Sequence, residues 1–410
     1  MATMAISEDD LLAAHRTLYP ALAHCTYLNY GARGVLPVSA REAILNSLDT
    51  LQSVGPASRA ARAWIEHETA ATRTRLGELI GAPSQRMAIV DSVSTACALA
   101  IWGIAWCAGD HAVLCESEPP GTWAALRQAA QRFGLTLSSF SMSAEAGGGS
   151  WQDRLLEALR PSTRLVIVSH VDWVSGVQCD LLELLAVVRR GPCPRARMLI
   201  DGAQAVGVVP VDVLALGVDL YAFGGQKWLG GPDGIAALYV SENARADVEP
   251  TLAGWRAVEP TEDGLDLRFT EDARRYESGT SAYALFAGFR QAIATQESFA
   301  SLALRSSRIL QINNRLRSKL RTLSSDHLRG SLRILGQDAS SGITTFTIEN
   351  ANPAQWVRSL ERVGIVLRHH FFPPSIRACV HYLTLEGELD ALCEEVRSAW
   401  SAMPGCHRLK

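Results

Sequence analysis

Between Met87 and Val240 short apolar runs alternate with helix-patterned segments, and no other feature of the sequence restricts the fold so tightly. Met87-Val90, Ala112-Cys115, Leu165-Ser169, Met198-Ile200 and Ile235-Val240 are apolar almost without interruption and of strand length. Thr95-Trp106, Trp123-Phe133 and Leu181-Arg190 carry helical spacing between them. A strand that is apolar on both faces needs cover on both faces. The rhythm therefore predicts an α/β domain whose largely parallel sheet lies between helices. Any ligand site is expected beyond the carboxyl ends of its strands.

The rest of the chain differs in texture. Thr251-Gly279 is polar and turn-rich, while Thr280-Lys319 has few breakers apart from Gly288 and reads as a long helical connection. A weaker alternation follows, with Thr344-Ile348 and Ile376-Tyr382 as strands and Pro353-Val363 and Glu386-Ala402 as helices, which predicts a smaller α+β domain. We divide the chain into an N-terminal segment, 1–26, packing with the small domain, a large domain, 27–280, and the small domain, 281–410. The Gly147-Gly148-Gly149 run reads as a surface loop. The 410 residues carry 39 Lys+Arg against 42 Asp+Glu, spread without long runs. That balance removes the electrostatic basis for binding nucleic acid or an anionic membrane. Nine scattered cysteines with no C-x-x-C pair argue against a disulfide framework or a zinc knuckle. The acidic start at Glu8, Asp9 and Asp10 lacks the basic and apolar regions of a signal peptide, so the cytoplasm is the expected setting.

The residues that can carry chemistry lie at predicted strand ends. Leu199-Ile200-Asp201-Gly202-Ala203-Gln204 is a strand running into an acid and then a turn, and Gly224-Gly225-Gln226-Lys227 places a lysine after two small residues. A lysine in such a crevice can form a Schiff base with an aldehyde. Pyridoxal phosphate enzymes need that lysine together with a carboxylate that keeps the ring nitrogen protonated. Taken singly, Asp201 is also a helix cap and Lys227 also a surface residue. Asp91-Ser92-Val93-Ser94-Thr95 follows a strand and opens a helix, which suits a phosphate as well as an ordinary N-cap. Glu277-Ser278-Gly279-Thr280-Ser281 offers another hydroxyl-rich helix start.

With these residues in view the chain resembles the aminotransferase class V family of fold type I pyridoxal phosphate enzymes, and within it the cysteine desulfurases and cysteine/cystine C–S lyases, the latter most closely. The likeness is carried by Tyr27-Leu28-Asn29-Tyr30-Gly31, Ser169-His170-Val171-Asp172-Trp173, Asp201-Gly202-Ala203-Gln204, Gly254-Trp255-Arg256, Gly279-Thr280-Ser281-Ala282-Tyr283 and Ile376-Arg377-Ala378-Cys379-Val380-His381-Tyr382. It implies a mostly parallel seven-stranded sheet, pyridoxal 5'-phosphate as cofactor, and a homodimer with shared active sites. Carried over by position, it implies Lys227 as the Schiff-base lysine, Asp201 as partner of the ring nitrogen and Gln204 as donor to the ring hydroxyl. His170 is implied near that oxygen or the substrate, with a satisfied core histidine as its other reading. Ser94, Thr95 and Gln226 would meet the phosphate, with Thr280 reaching across from a second subunit. Arg377 would clamp the substrate carboxylate, Arg368 a second carboxylate or the substrate tail, and Asn29 and Arg33 would border the substrate.

The chain departs from the family at two places. Pro119 stands where a histidine stacks on the ring, so either the proline packs there or Trp123, one helical turn on, supplies the aromatic face. Gln226 replaces the histidine that usually precedes the lysine. The segment after Arg368, His369-His370-Phe371-Phe372-Pro373-Pro374, has no cysteine to receive sulfur, and Cys379 lies in an apolar run, which disfavours persulfide transfer. The His369-His370 pair lacks an accompanying acid or cysteine and suits the substrate mouth or surface better than a metal. These features predict α,β-elimination from cysteine or a cysteine S-conjugate. The alternative is loss of CO2 with oxidation by O2 to an aldehyde. An Ala-, Arg- and Gly-rich composition, with family members in antibiotic pathways including lincosamide ones, extends the expectation by analogy to natural-product biosynthesis.

Overall fold

The structure, a computed structural model, describes residues 8–143, 147, 149–336 and 339–401; Met1 to Ser7, Gly148, Ala402 and Cys406 of the reading above lie outside them. The large sheet has seven strands, β1 (Met87–Val90), β2 (His111–Cys115), β3 (Thr136–Phe140), β4 (Thr163–Ser169), β5 (Arg197–Asp201), β6 (Leu220–Gly224) and β7 (Ala236–Val240). Their order is β1-β7-β6-β5-β4-β2-β3, and β7 alone runs against its neighbours. The stretch between β6 and β7 is too short for a helical crossover, so the chain returns antiparallel. Successive residues of one strand feed opposite cores: Val166 and Val168 enter one apolar cluster, Leu165 and Ile167 the other. That is the two-sided burial the apolar runs require.

Two strands escape sequence reading. β3, Thr-Leu-Ser-Ser-Phe, is the sheet's edge, where only Phe140 is fully buried, and so lacks an apolar run. β6 is buried throughout but ends in glycine, so it reads as the lysine's small-residue flank. The helical connection over 280–319 is two helices, Ala284–Phe299 and Leu302–Asp326. No glycine or proline marks the break. Ala300 is extended, Ser301 caps the second helix, and Phe299 stacks on Tyr382 at 5.3 Å, so a tertiary contact sets the corner. The first helix places Phe286, Phe289 and Ile293 in the large core.

The small domain holds an antiparallel sheet of β8 (Leu332–Leu335), β9 (Ile343–Ile348), β10 (Arg368–Phe371) and β11 (Pro374–Cys379), ordered β8-β9-β11-β10. Leu316, Leu320, Phe346, Ile376, Ala378 and Leu389 form its core. The helix Glu8–Arg16 docks on this domain through the Arg16–Glu388 ion pair at 3.0 Å and a His15–Tyr382 hydrogen bond at 3.1 Å. The turn-rich segment contains a hairpin of Val258–Pro260 with Leu267–Phe269. No helix among the described residues is long and apolar enough to cross a membrane.

Candidate active site

The carboxyl ends of β4, β5 and β6 converge. Ser169 and Asp201 are terminal residues of adjacent strands and pair in register, and Lys227 follows the end of β6 by three residues. Asp201 is buried; one carboxylate oxygen accepts the Ala203 N–H at 2.8 Å, and the other takes no hydrogen bond among the described contacts. Burial raises its pKa, against the pull of Lys227 and the Ala203 bond. Lys227 keeps part of its surface open. Burial nonetheless lowers its pKa; Asp201 opposes that, while Arg377 and Arg368 reinforce it. The pocket thus brings a weakened ammonium beside an acid with one unused oxygen.

A cluster of hydrogen-bond donors forms where the helix Val93–Gly103 begins. Ser92 caps it, accepting the Thr95 N–H at 3.1 Å, and its hydroxyl lies 2.9 Å from that of Thr95. Ser94 is exposed beside Gly121, where a Cβ would lie 3.1 Å from Ser94 Oγ. At Gly224 a Cβ would meet both Gln226 Oε1 at 2.4 Å and Val93 Cγ2 at 3.1 Å, so the loop before the lysine borders this helix start. Free backbone N–H groups, hydroxyls and the Gln226 amide meet there, a donor set suited to a phosphate.

On the other side Gln204 is held in one orientation. Its Oε1 accepts the Trp228 indole N–H at 2.8 Å and its Nε2 donates to Gly31 O at 2.9 Å, which leaves one amide N–H unassigned. Gly31 is required here: a Cβ would stand 2.8 Å from Cys379 Sγ, 3.1 Å from Gln204 Oε1 and 3.5 Å from Arg377 Cζ. Arg377 is 1% exposed, donates from Nη1 to Trp173 O at 2.9 Å, and has a buried Nε without a partner. An orphaned guanidinium edge matches a carboxylate. Arg368 lies opposite Arg377 across β10 and β11 and is exposed. Asn29 is half-buried, with Oδ1 unpaired. Arg33 is a surface residue paired with Asp233 at 2.9 Å.

Other sequence candidates take particular places. His170 is buried, with Nδ1 2.8 Å from the Tyr221 hydroxyl and Nε2 3.4 Å from Gln178 Nε2. An amide nitrogen can only donate, so Nδ1 carries the proton. Burial lowers this pKa to about 4, leaving a neutral ring with both nitrogens engaged. Pro119 is half-buried just before the helix Pro120–Phe133. Trp123 donates to Glu116 O at 3.4 Å and lies under Arg127 at 4.9 Å. Thr280 is exposed, next to a buried cluster in which Glu277 accepts from Arg73 at 2.8 Å, Arg256 at 2.6 Å and Ile89 N–H at 2.9 Å. His369 and His370 separate: His370 is buried with its ring edge-on to Trp173 at 4.6 Å, while His369 is half-exposed. Sequence reasoning missed Glu118, which is buried and bonded to Ser169. Nothing in Glu116-Ser117-Glu118 separates it from its exposed neighbour Glu116.

Asp201's unused oxygen, the weakened Lys227 ammonium, Gln204's remaining N–H and the donors at the helix start fit one ligand, pyridoxal phosphate. Together with the seven-stranded sheet they define a fold type I pyridoxal-phosphate-dependent enzyme. The sequence pattern of the aminotransferase class-V family matches residues 28–378, and the chain belongs to that family. It is similar to the cystine C–S lyase C-DES, solved in complex with its reaction product cysteine persulfide: 36% identity, TM-score 0.87, covering 92% of this chain and 99% of that one. A mutant of C-DES with glycine covalently linked to its cofactor gives 35% identity, TM-score 0.88 and coverage of 93% and 98%. A probable cysteine desulfurase of Methanothermobacter thermautotrophicus is 26% identical over 341 residues, 78% of this chain and 81% of that protein.

Proposed function

We propose that the protein cleaves the C–S bond of cysteine or a cysteine S-conjugate by α,β-elimination, giving a thiol and an enamine that one water hydrolyses to pyruvate and ammonia. One juxtaposition carries this reading: an amine at Lys227 that burial makes easier to deprotonate, with no exposed thiol beside it among the described residues. Cys97, Cys115, Cys179 and Cys379 are buried, and burial pushes the first three thiols up in pKa. Among the described cysteines only Cys107 is classed as exposed, and it precedes β2, at the amino end of the sheet. Sulfur therefore leaves with the small molecule. The similarity to C-DES supports the same conclusion.

When bound, pyridoxal phosphate supplies an electron sink for the pair released at the substrate's Cα. The chain's own groups do the rest. Arg377 holds the α-carboxylate on its open Nε edge, and Lys227 removes the α-proton. The C–S bond then breaks with its electrons on sulfur, and a proton completes the thiol. Asp201, with one unused oxygen, would hold the ring nitrogen, and Gln204, with a spare N–H, would hold the ring hydroxyl. Neutral His170 lines the pocket without exchanging protons.

The group on sulfur is taken to be larger than hydrogen. Phe371 and Phe372 are 87% and 88% exposed at the tip of the hairpin that carries Arg368 and Arg377, which suits an apolar substituent; a biosynthetic role in the cytoplasm belongs to the same proposal by analogy. Exposed Trp255, Leu265 and Leu267, with Thr280 unbonded in its own chain, support a homodimer that shares its sites. The test is incubation under air with cysteine, cystine and a bulky S-alkyl cysteine, followed by mass spectrometry of the carbon product. Pyruvate with free thiol is expected. An aldehyde one carbon shorter, sulfur still attached, would instead establish decarboxylation coupled to oxidation.

A further inference from the structure

Glu118 is a buried acid that the reaction above does not use. It lies between the end of β2 and the helix Pro120–Phe133, and its side chain reaches across to the end of β4. There Oε1 accepts the Ser169 N–H at 2.5 Å, and Oε2 is 2.9 Å from Ser169 Oγ. Ser169 is paired with Asp201 in the β4–β5 register, and the next residue, His170, donates its N–H to Asp201 O at 2.9 Å. Glu118 thus ties the segment after β2 to the end of β4, which the backbone in turn joins to Asp201.

We propose that Glu118 is a positioning residue of this site: as a neutral carboxylic acid it pins Ser169 and leaves Asp201 as the one negative charge presented to the cofactor's ring nitrogen. The hydrogen bonds accommodate the proton, since a hydroxyl both donates and accepts. Ser169 donates both its N–H and its O–H to the carboxyl group, and protonation reverses the second bond, so that the acid's O–H goes to Ser169 Oγ. The surroundings demand it. The ionisable groups facing Glu118 are Asp201 on β5, Asp172 after β4, and the thiols of Cys97, Cys115 and Cys179; no ion pair joins Glu118 to a lysine, arginine or histidine among the described residues. Burial, then Asp201, pushes its pKa up to about 8, while the Ser169 bonds pull the other way. Two acids sharing one pocket with one nearby amine settle with a single charge.

The inference rests on Asp201 as the ring-nitrogen partner and not on which bond of the substrate breaks. Its test uses the apo-protein labelled with carbon-13 at glutamate carboxyls, titrated by NMR from about pH 6 to about pH 9.5. One glutamate is expected to titrate with a midpoint near 8, and its signal to vanish in Glu118→Gln. That variant copies the neutral acid atom for atom, its amide oxygen accepting the Ser169 N–H and its amide N–H donating to Ser169 Oγ. It should hold the cofactor at neutral pH within about threefold of wild type, a small change in free energy by the tenfold-per-1.4-kcal/mol scale. A set of glutamates all ionised by pH 6 overturns the proposal, even if Glu118→Gln fails to fold. So does a folded Glu118→Gln that binds the cofactor more than about tenfold more weakly.

Discussion

At the scale of single residues, the pocket works by setting charges. Lys227 and Asp201 share a crevice that lowers the pKa of one and raises that of the other, and each partly restores its neighbour. Lys227→Ala should abolish the covalent hold on the cofactor and cut turnover on the order of 10^3-fold or more, as the loss of a group acting as both anchor and base. Absorbance of the purified protein and a steady-state assay check this; a variant as yellow and active as wild type would remove Lys227 from the mechanism. Arg377→Lys keeps the charge but loses the planar edge whose Nε is left unpaired. A rise in KM of about tenfold to a hundredfold is expected, the worth of a charged hydrogen bond, with kcat changed much less. An unchanged KM would mean the carboxylate is held elsewhere. Lys227, Asp201 and Arg377 were candidates in the sequence because each sits in a recognisable string. Glu118 was not, because only the fold distinguishes it from exposed Glu116.

Single elements present these groups. The helix Val93–Gly103 begins at the cofactor's expected phosphate because Ser92 takes the Thr95 N–H and leaves earlier N–H groups free. Ser92→Ala should cost about 1 kcal/mol of stability, read as a lower urea midpoint, and should weaken cofactor binding; a midpoint unchanged from wild type would show that the cap is idle. On the opposite flank Glu277 neutralises Arg73 and Arg256 while satisfying Ile89 N–H. Glu277→Ala leaves two poorly exposed cations facing each other and should cost about 3–5 kcal/mol. Thermal unfolding measures it, and a loss under about 1 kcal/mol would mean that the arginines find other partners. Strands β1, β2, β4, β5 and β7 and the helices Val93–Gly103, Pro120–Phe133 and Leu181–Arg190 were read within a few residues from their apolar periodicity. The corner at Ala300 and the edge strand β3 were not, since the first follows from Phe299 packing on Tyr382 and the second has only one face to bury.

At the scale of the whole molecule, five histidines among the described residues are buried, His15, His111, His170, His370 and His381, each with its pKa lowered chiefly by burial. In the fold His111 and His170 ionise only near 4 and His370 and His381 near 3, against about 6.5 when unfolded. Below about 6.5 the unfolded chain therefore binds more protons, so stability is full above that value and is lost as pH falls toward the folded pKa values. Glu118 acts in the opposite sense on the way up to about 8, one group against five. Urea midpoints at pH 7, 6 and 5 should fall in that order; a flat series would show that the histidines are not buried as described. The sequence by itself determined the fold class and the cofactor, because apolar period and short motifs are local properties of a chain. Only the tertiary structure decided which of two neighbouring glutamates enters the pocket, that Arg377 leaves its Nε edge free, and that His170 stays neutral. Burial and partner geometry are set by segments far apart in sequence, and those quantities govern ionisation.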